Sequence, residues 1–163
     1  MAGARLTLDY DAAALRATLG ALATTVANPA PALAEIGEHL LRTTRARFGQ
    51  GGKAAPDGTP WPRNTATTRA RKGTDNPLYE RGMLQGQLRW QLAENGRAVL
   101  VGSNRIYAAV QQFGQPKGAS GRTARGGPIP WGDIPPRPYL GLSVDDRAEA
   151  LAILREHLAQ PKT

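Results

Sequence analysis

The sequence predicts an α+β fold: a small antiparallel sheet containing a β-hairpin, packed with two N-terminal helices and a C-terminal helix, with long Gly/Pro-rich loops between them. Three observations predict it. Apolar residues recur at helical spacing twice before residue 49 and once after residue 143, and an Asn-Gly pair separates two strand-like runs near residue 95. Gly and Pro number 19 and 13 among 163 residues, above the average share of about an eighth, so a sizeable part of the chain is expected to be irregular. This length fits one domain, taken as residues 1–163, with one core.

Taken in order, residues 5–9 (RLTLD) alternate with Leu6 and Leu8 on one side, as a short edge strand would. From 11 to 27, Leu15, Leu19, Leu22 and Val26 recur every three or four residues behind Asp11 as N-cap, and Asn28-Pro29 ends this helix. The second helix begins at Pro31 and carries Leu33, Ile36, Leu40, Leu41, Thr44 and Phe48 on one stripe until Gly49 closes it. Arg42, Arg45 and Arg47 crowd its last turns, where cations favour the negative end of the helix dipole.

Residues 49–77 show no sustained period, so this stretch is expected to be an arm. Within it Trp61 stands between Pro60 and Pro62, a rigid setting that presents the indole either to the chain's own core edge or to a neighbouring subunit. The run from 84 to 102 alternates Leu88, Trp90 and Leu92, turns at Glu94-Asn95-Gly96 and resumes from Arg97 to Val101, a strong hairpin signal. Residues 107–113 (YAAVQQF) form a short helix stopped by Gly114. Residues 115–138 are rich in Gly, Pro and Arg, and order there is expected to need a partner. Ser143 caps a final helix to Leu158, with Asp145 and Asp146 in its first turn and Ala148, Leu151, Ile153, Leu154 and Leu158 facing a core.

The formal charge is +8, unevenly spread. Between Arg42 and Arg125 lie 15 of the 21 Lys and Arg but 4 of the 13 acidic residues, so the middle carries +11 and the flanks together −3. Arg69, Arg71, Lys72, Lys117, Arg122 and Arg125 sit on the loops of that middle and suit a phosphate backbone or an acidic protein surface. No zinc-finger, RRM or helix-turn-helix pattern accompanies them, so any nucleic-acid contact is expected to be non-specific.

Zero cysteines exclude disulfides and thiolate metal sites and suit synthesis in a host cytoplasm. The opening MAGARLTLDYD lacks an apolar core, and no run of about 18 apolar residues occurs, so neither a signal peptide nor a membrane span is expected. A search for a nucleophile with a base, tuned carboxylate pairs or a metal set yields no catalytic, cofactor-binding or metal residues. His39 and His157 read as structural or surface histidines, the Gly-rich segments 49–53 and 121–128 as flexible tethers, and Asp57 and Asp133 as turn formers.

The ordered motifs resemble those of the phage virion morphogenesis family, the tail-completion proteins of Mu-like and P2-like phages. They are a helix ending in Arg47-Phe48, then Pro56-Asp57-Gly58 with Trp61 close behind, then Thr67-Thr68 to Lys72. Leu78, Gly82 and Leu84 precede the hairpin; Val101-Gly102, Tyr107-Ala108, Gln112-Phe113-Gly114 and the run IPPRPYLGLS over residues 134–143 follow. Gln111 stands where the family often has His.

The resemblance implies a non-enzymatic structural virion protein of the tail or head-to-tail junction. It also implies a ring-forming homo-oligomer, hexameric in the family's manner, touching tail-tube, terminator or head-completion proteins, with packaged DNA and acidic protein as alternative surfaces for the basic segment. Interface candidates are Trp61, Tyr107, Gln112, Phe113, Arg137 and Tyr139. The alternative is a basic accessory protein binding nucleic acid non-specifically.

Overall fold

A computed structural model describes residues 12–49 and 53–159. The expected strand at residues 5–9 and the cap at Asp11 lie outside them. The architecture is α+β, as the sequence predicts: two helices, an antiparallel hairpin and a C-terminal helix, joined by loops that carry three further short helices.

Helix α1, Ala12–Ala27, ends at Asn28, whose backbone N–H closes onto Thr24 and Thr25. Helix α2, Ala30–Ala46, begins one residue before Pro31, with Pro29 at its cap. Ala32, Ile36, Gly37, Leu41 and Thr44 are its buried face, which makes α2 the central element: one side meets both strands and the other meets the C-terminal helix.

Strands β1, Leu88–Ala93, and β2, Ala98–Ser103, pair from Leu88↔Ser103 to Ala93↔Ala98. Directly opposed residues share a face, so Leu88, Trp90, Val99 and Val101 lie together on one side. That side packs on α2. There Gly37 is necessary: a Cβ at this position would stand 2.7 Å from the Trp90 ring and 2.9 Å from Val99 Cγ2. The connection spans four residues, with Glu94, Asn95 and Gly96 all at positive φ (51°, 55° and 83°). The Asn-Gly signal therefore marks a hairpin whose loop is longer than a two-residue turn.

The irregular stretches differ from expectation in two respects. Residues 66–72 form a short helix, α3 (Ala66–Lys72), because Thr65 Oγ1 accepts from the Thr68 backbone N–H at 3.3 Å and Gly73 closes the end in a left-handed conformation. Residues 115–134 fold back on themselves through main-chain bonds: Gln115 pairs with Ile134, Gly118 donates to Pro130, Ser120 to Ile129 and Thr123 to Gly127. Main-chain bonds thus tie this loop to itself, which composition does not reveal.

Helix α4, Met83–Gly86, leads into β1, and helix α5, Ala108–Phe113, stops at Gly114 as expected. The last helix, α6, spans Val144–Ala159. Its rotation departs from the sequence reading. Asp146, Ala150, Ile153, Leu154 and His157 face α2, whereas Ala148, Leu151 and Leu158 face outward. Asp146 sets this rotation, because its carboxylate is held from α2. On α1 the expected stripe is likewise only partly covered: Leu22 is half-buried, while Leu19 and Val26 are exposed.

Two apolar clusters flank α2. One joins Leu41, Phe48, Trp61, Leu84, Leu88, Ala108 and Tyr139; the other joins Ala32, Ile36 and Ile153, with Leu33, Leu40 and Leu154 packed beside them. The first contains both tryptophan and tyrosine from loops that composition alone marks as irregular. Each large side chain so buried contributes about 1.5–3 kcal/mol.

Candidate functional site

The motifs that are separate along the chain meet in one knot. Trp61 is 4% exposed and donates its indole N–H to the Pro138 carbonyl at 2.8 Å. Phe48 stands edge-on to the Trp61 ring (5.7 Å, 65°) and to the Tyr139 ring (5.4 Å, 61°). Such edge contacts add about 0.5–1.5 kcal/mol beyond area. Tyr139 is 1% exposed, and its hydroxyl donates to the Ala108 carbonyl at 3.4 Å.

Gln112 stitches α5 to the same strand of loop. Its Oε1 accepts from the backbone N–H of Tyr139 and of Leu140, each at 3.0 Å, and its Nε2 donates to the Leu140 carbonyl at 3.2 Å. Arg137 lies buried across the knot, Nε donating to Pro62 O at 2.8 Å and Nη2 to Arg63 O at 3.1 Å. Burial lowers its pKa, with Asp75 opposing that shift. Two glycines let the backbones close: at Gly114 (φ 75°) a Cβ would meet Ile134 O at 2.7 Å, and at Gly141 (φ 142°) it would meet Pro56 Cγ at 2.9 Å.

Beside the knot is a charged brace that the sequence reading did not connect. Arg47 donates to the Tyr139 and Gly141 carbonyls at 3.0 and 3.1 Å, and to Asp146 Oδ2 at 2.5 Å. Asp146 and Ser143 cap each other: Ser143 N–H donates to Oδ2 at 2.9 Å and Asp146 N–H to Ser143 Oγ at 3.0 Å. His39 Nε2 reaches Asp146 Oδ1 at 3.1 Å while Arg42 lies 3.1 Å from its Nδ1. An arginine only donates, so Nδ1 accepts and the ring proton sits on Nε2, facing the carboxylate. Burial alone would raise the Asp146 pKa; the hydrogen bonds from Ser143 and Thr43 and the Arg47 charge outweigh it and hold the group at about 2. The serine cap was legible in the sequence, but its distant partners were not. Glu35, one turn before His39, was likewise passed over, and it receives His157 at 3.0 Å.

Of the interface candidates, Trp61, Arg137 and Tyr139 are thus buried within the chain and Gln112 is bonded there. Tyr107 and Phe113 are exposed, Phe113 by 77%. The basic candidates fall into two groups. Arg69 bonds the Asn64 carbonyl at 3.3 Å and lies 3.8 Å from Asp75. Arg71 and Lys72 open onto a cleft of about 600 Å³, which Arg81 and Arg137 also line. The Lys72 ammonium donates to Asn76 O at 2.9 Å, and burial lowers its pKa against the pull of Glu80. Lys117, Arg122 and Arg125 are exposed on the other loop and do not line this cleft. Asp57 acts as a turn former, accepting the Thr59 backbone N–H at 2.9 Å, whereas Asp133 instead accepts the Lys117 backbone N–H at 2.8 Å across the loop. Among the described residues no group of three or more His, Asp or Glu is placed to hold a metal, and no helix is long and apolar enough to cross a membrane.

The motif residues thus join two loops and α5 to the body of the fold, with Tyr107, Phe113 and several cations exposed around them. Residues 10–159 match the model of the phage virion morphogenesis family, nearly the whole chain. The chain belongs to that family, and its role is in the assembly of a phage virion. No curated protein and no solved structure matches it.

Proposed function

We propose that this protein is a non-enzymatic structural subunit that completes the tail or joins it to the head, acting as one domain over residues 1–163 in a homo-oligomeric ring. The observation that carries the reading is family membership over residues 10–159. The knot supports it, because Trp61 and Gln112 bind two loops and α5 to the body beside the exposed Tyr107 and Phe113. A ring at the neck or tail end would meet tail-tube, terminator or head-completion proteins. Its basic loops would face packaged DNA or acidic neighbours.

Two experiments test this. Native mass spectrometry of the purified chain should show a closed oligomer, and a six-fold ring is the expected size. A phage carrying a nonsense codon in this gene should accumulate heads and tails that fail to join, or tails of defective length, and particle proteomics should find the protein in complete virions. A strict monomer absent from virions overturns the reading.

The second reading is a basic accessory protein binding nucleic acid non-specifically, favoured by the exposed cations Lys117, Arg122 and Arg125 on one loop. It expects affinity for duplex DNA that falls steeply with salt in the free chain and no place in the particle.

A further inference from the structure

The loop over residues 115–134 displays an aromatic ring among cations, on a backbone that its own bonds already fix. Trp131 is 77% exposed, against 4% for Trp61. The Gly118 backbone N–H donates to the Pro130 carbonyl at 3.0 Å, which brings the chain at Lys117 beside the chain at Trp131. On its other side the indole reaches the turn over residues 123–127: its Cζ2 is 3.9 Å from where a Cβ on Gly127 would stand. That turn closes through Thr123 N–H to Gly127 O and Gly126 N–H to Thr123 O, each at 2.8 Å, and Arg122 Nη1 donates to Gly126 O at 3.0 Å. Arg122 and Arg125 therefore flank the turn that Trp131 touches.

No acidic residue occurs from 115 to 132, and Lys117, Arg122 and Arg125 are exposed without an ion pair among the described residues. Asp133, at the base of the loop, accepts the Lys117 backbone N–H and lines the separate cleft beside α3 and α4. An exposed indole among unpaired cations suits a partner that is flat and apolar in one part and negative in another. Unpaired nucleotides supply both, since each base has a face to stack and each nucleotide a phosphate. A duplex supplies only the phosphates, because its bases are already stacked on one another. A lipid surface takes a broader apolar face than this loop presents: Trp131 and Ile129, the latter 38% exposed, are its only exposed large apolar side chains. The main-chain bonds also leave little of the loop to be ordered on binding.

We propose that the 115–134 loop binds single-stranded nucleic acid, with Trp131 stacking on an unpaired base and Lys117, Arg122 and Arg125 holding the phosphates beside it. This rests on the reading that these cations meet nucleic acid, and adds the strand state they select and the side chain that selects it. Stacking accepts any base, so the contact discriminates single strand from duplex and not one sequence from another.

Fluorescence anisotropy with a labelled oligothymidylate and with a plain duplex, over a salt series, tests it on the full-length chain, with thermal melts as the folding control. Trp131→Leu should weaken oligothymidylate binding by at least about fivefold, the loss of one stack, while duplex affinity and the salt slope stay as they were. Oligothymidylate should quench the tryptophan emission of the natural chain and leave that of Trp131→Leu unchanged. Arg122→Gln with Arg125→Gln should reduce the slope of log affinity against log salt by up to about 1.4 on the single strand. Trp131→Phe keeps a stacking ring and should bind within about threefold of the natural chain; if Phe and Leu weaken binding alike, or neither does, stacking is wrong. Equal affinity for duplex and oligothymidylate, unmoved by Trp131→Leu, overturns the proposal and leaves the cations on nucleic acid, whereas no binding of either at low salt overturns both. Binding of phosphatidylglycerol vesicles or of polyglutamate that depends on Trp131, with oligothymidylate binding unaffected by its loss, overturns it by assigning the loop to lipid or to an acidic protein.

Discussion

At the scale of single residues, Asp146 has the widest reach. It caps α6, receives His39 from α2 and Arg47 from the residue that follows α2, and is 1% exposed. Its carboxylate stays ionised down to about pH 2. The folded pKa is depressed below the ordinary 3.8, so the resulting stabilisation is complete above that value and is lost as pH falls through about 2. The difference amounts to about 2 kcal/mol. Urea unfolding between pH 5 and 2 should show the natural chain losing about that much more stability than Asp146→Asn; equal losses would assign acid sensitivity elsewhere. At neutral pH, Asp146→Ala strands Arg47 beside two carbonyls and should cost about 3–5 kcal/mol in urea unfolding. Gly114→Ala is a second sharp case. Its new methyl would meet the Ile134 carbonyl oxygen and the Pro136 nitrogen, at 2.7 and 2.9 Å, with φ at 75°. Backbone atoms cannot step aside, so a loss above about 2 kcal/mol in urea unfolding is expected, far more than glycine-to-alanine changes usually cause.

Among elements, α2 sets the arrangement, and Gly37 is where it comes closest to the sheet. Alanine is the better helix former by about 1 kcal/mol. Its methyl would nevertheless stand 2.7 Å from the Trp90 ring, and overpacking of this kind costs about 1–3 kcal/mol. Gly37→Ala should therefore lower the melting point by a few degrees, as calorimetry would show; a rise would mean that the hairpin yields easily. The elements also show what the sequence made legible. Helix α2 and the hairpin were readable because Ile36, Leu41 and Thr44 keep a helical period and Asn95-Gly96 supplies the left-handed turn. The rotation of α6 was not readable, since it has apolar residues on two sides and only the distant Arg47 and His39 decide which side turns inward. Helix α3 was missed because seven residues with none buried carry no period, although Thr65 and Gly73 mark its two ends. For the knot, the sequence showed Trp61, Gln112, Arg137 and Tyr139 as landmarks of the family; it could not show that they bond one another.

For the molecule as a whole, charge is the property that distinguishes its parts. Lys117, Arg122 and Arg125 are all exposed on a loop held by its own main chain. Arg122 donates to Gly126 O at 3.0 Å within that loop, and no cation of the three forms an ion pair among the described residues. The loop's order does not depend on these charges, so replacing all three with Gln should leave the melting point within about 2 °C of the natural value. Their effect is on association. Each cation that meets a DNA phosphate adds about 0.9 to the slope of log affinity against log salt, so the triple variant should reduce that slope by up to about 3 in filter binding with a plain duplex. An unchanged slope with an unchanged melt would turn the loop away from nucleic acid, leaving an acidic neighbour in the particle as the surface its charges meet.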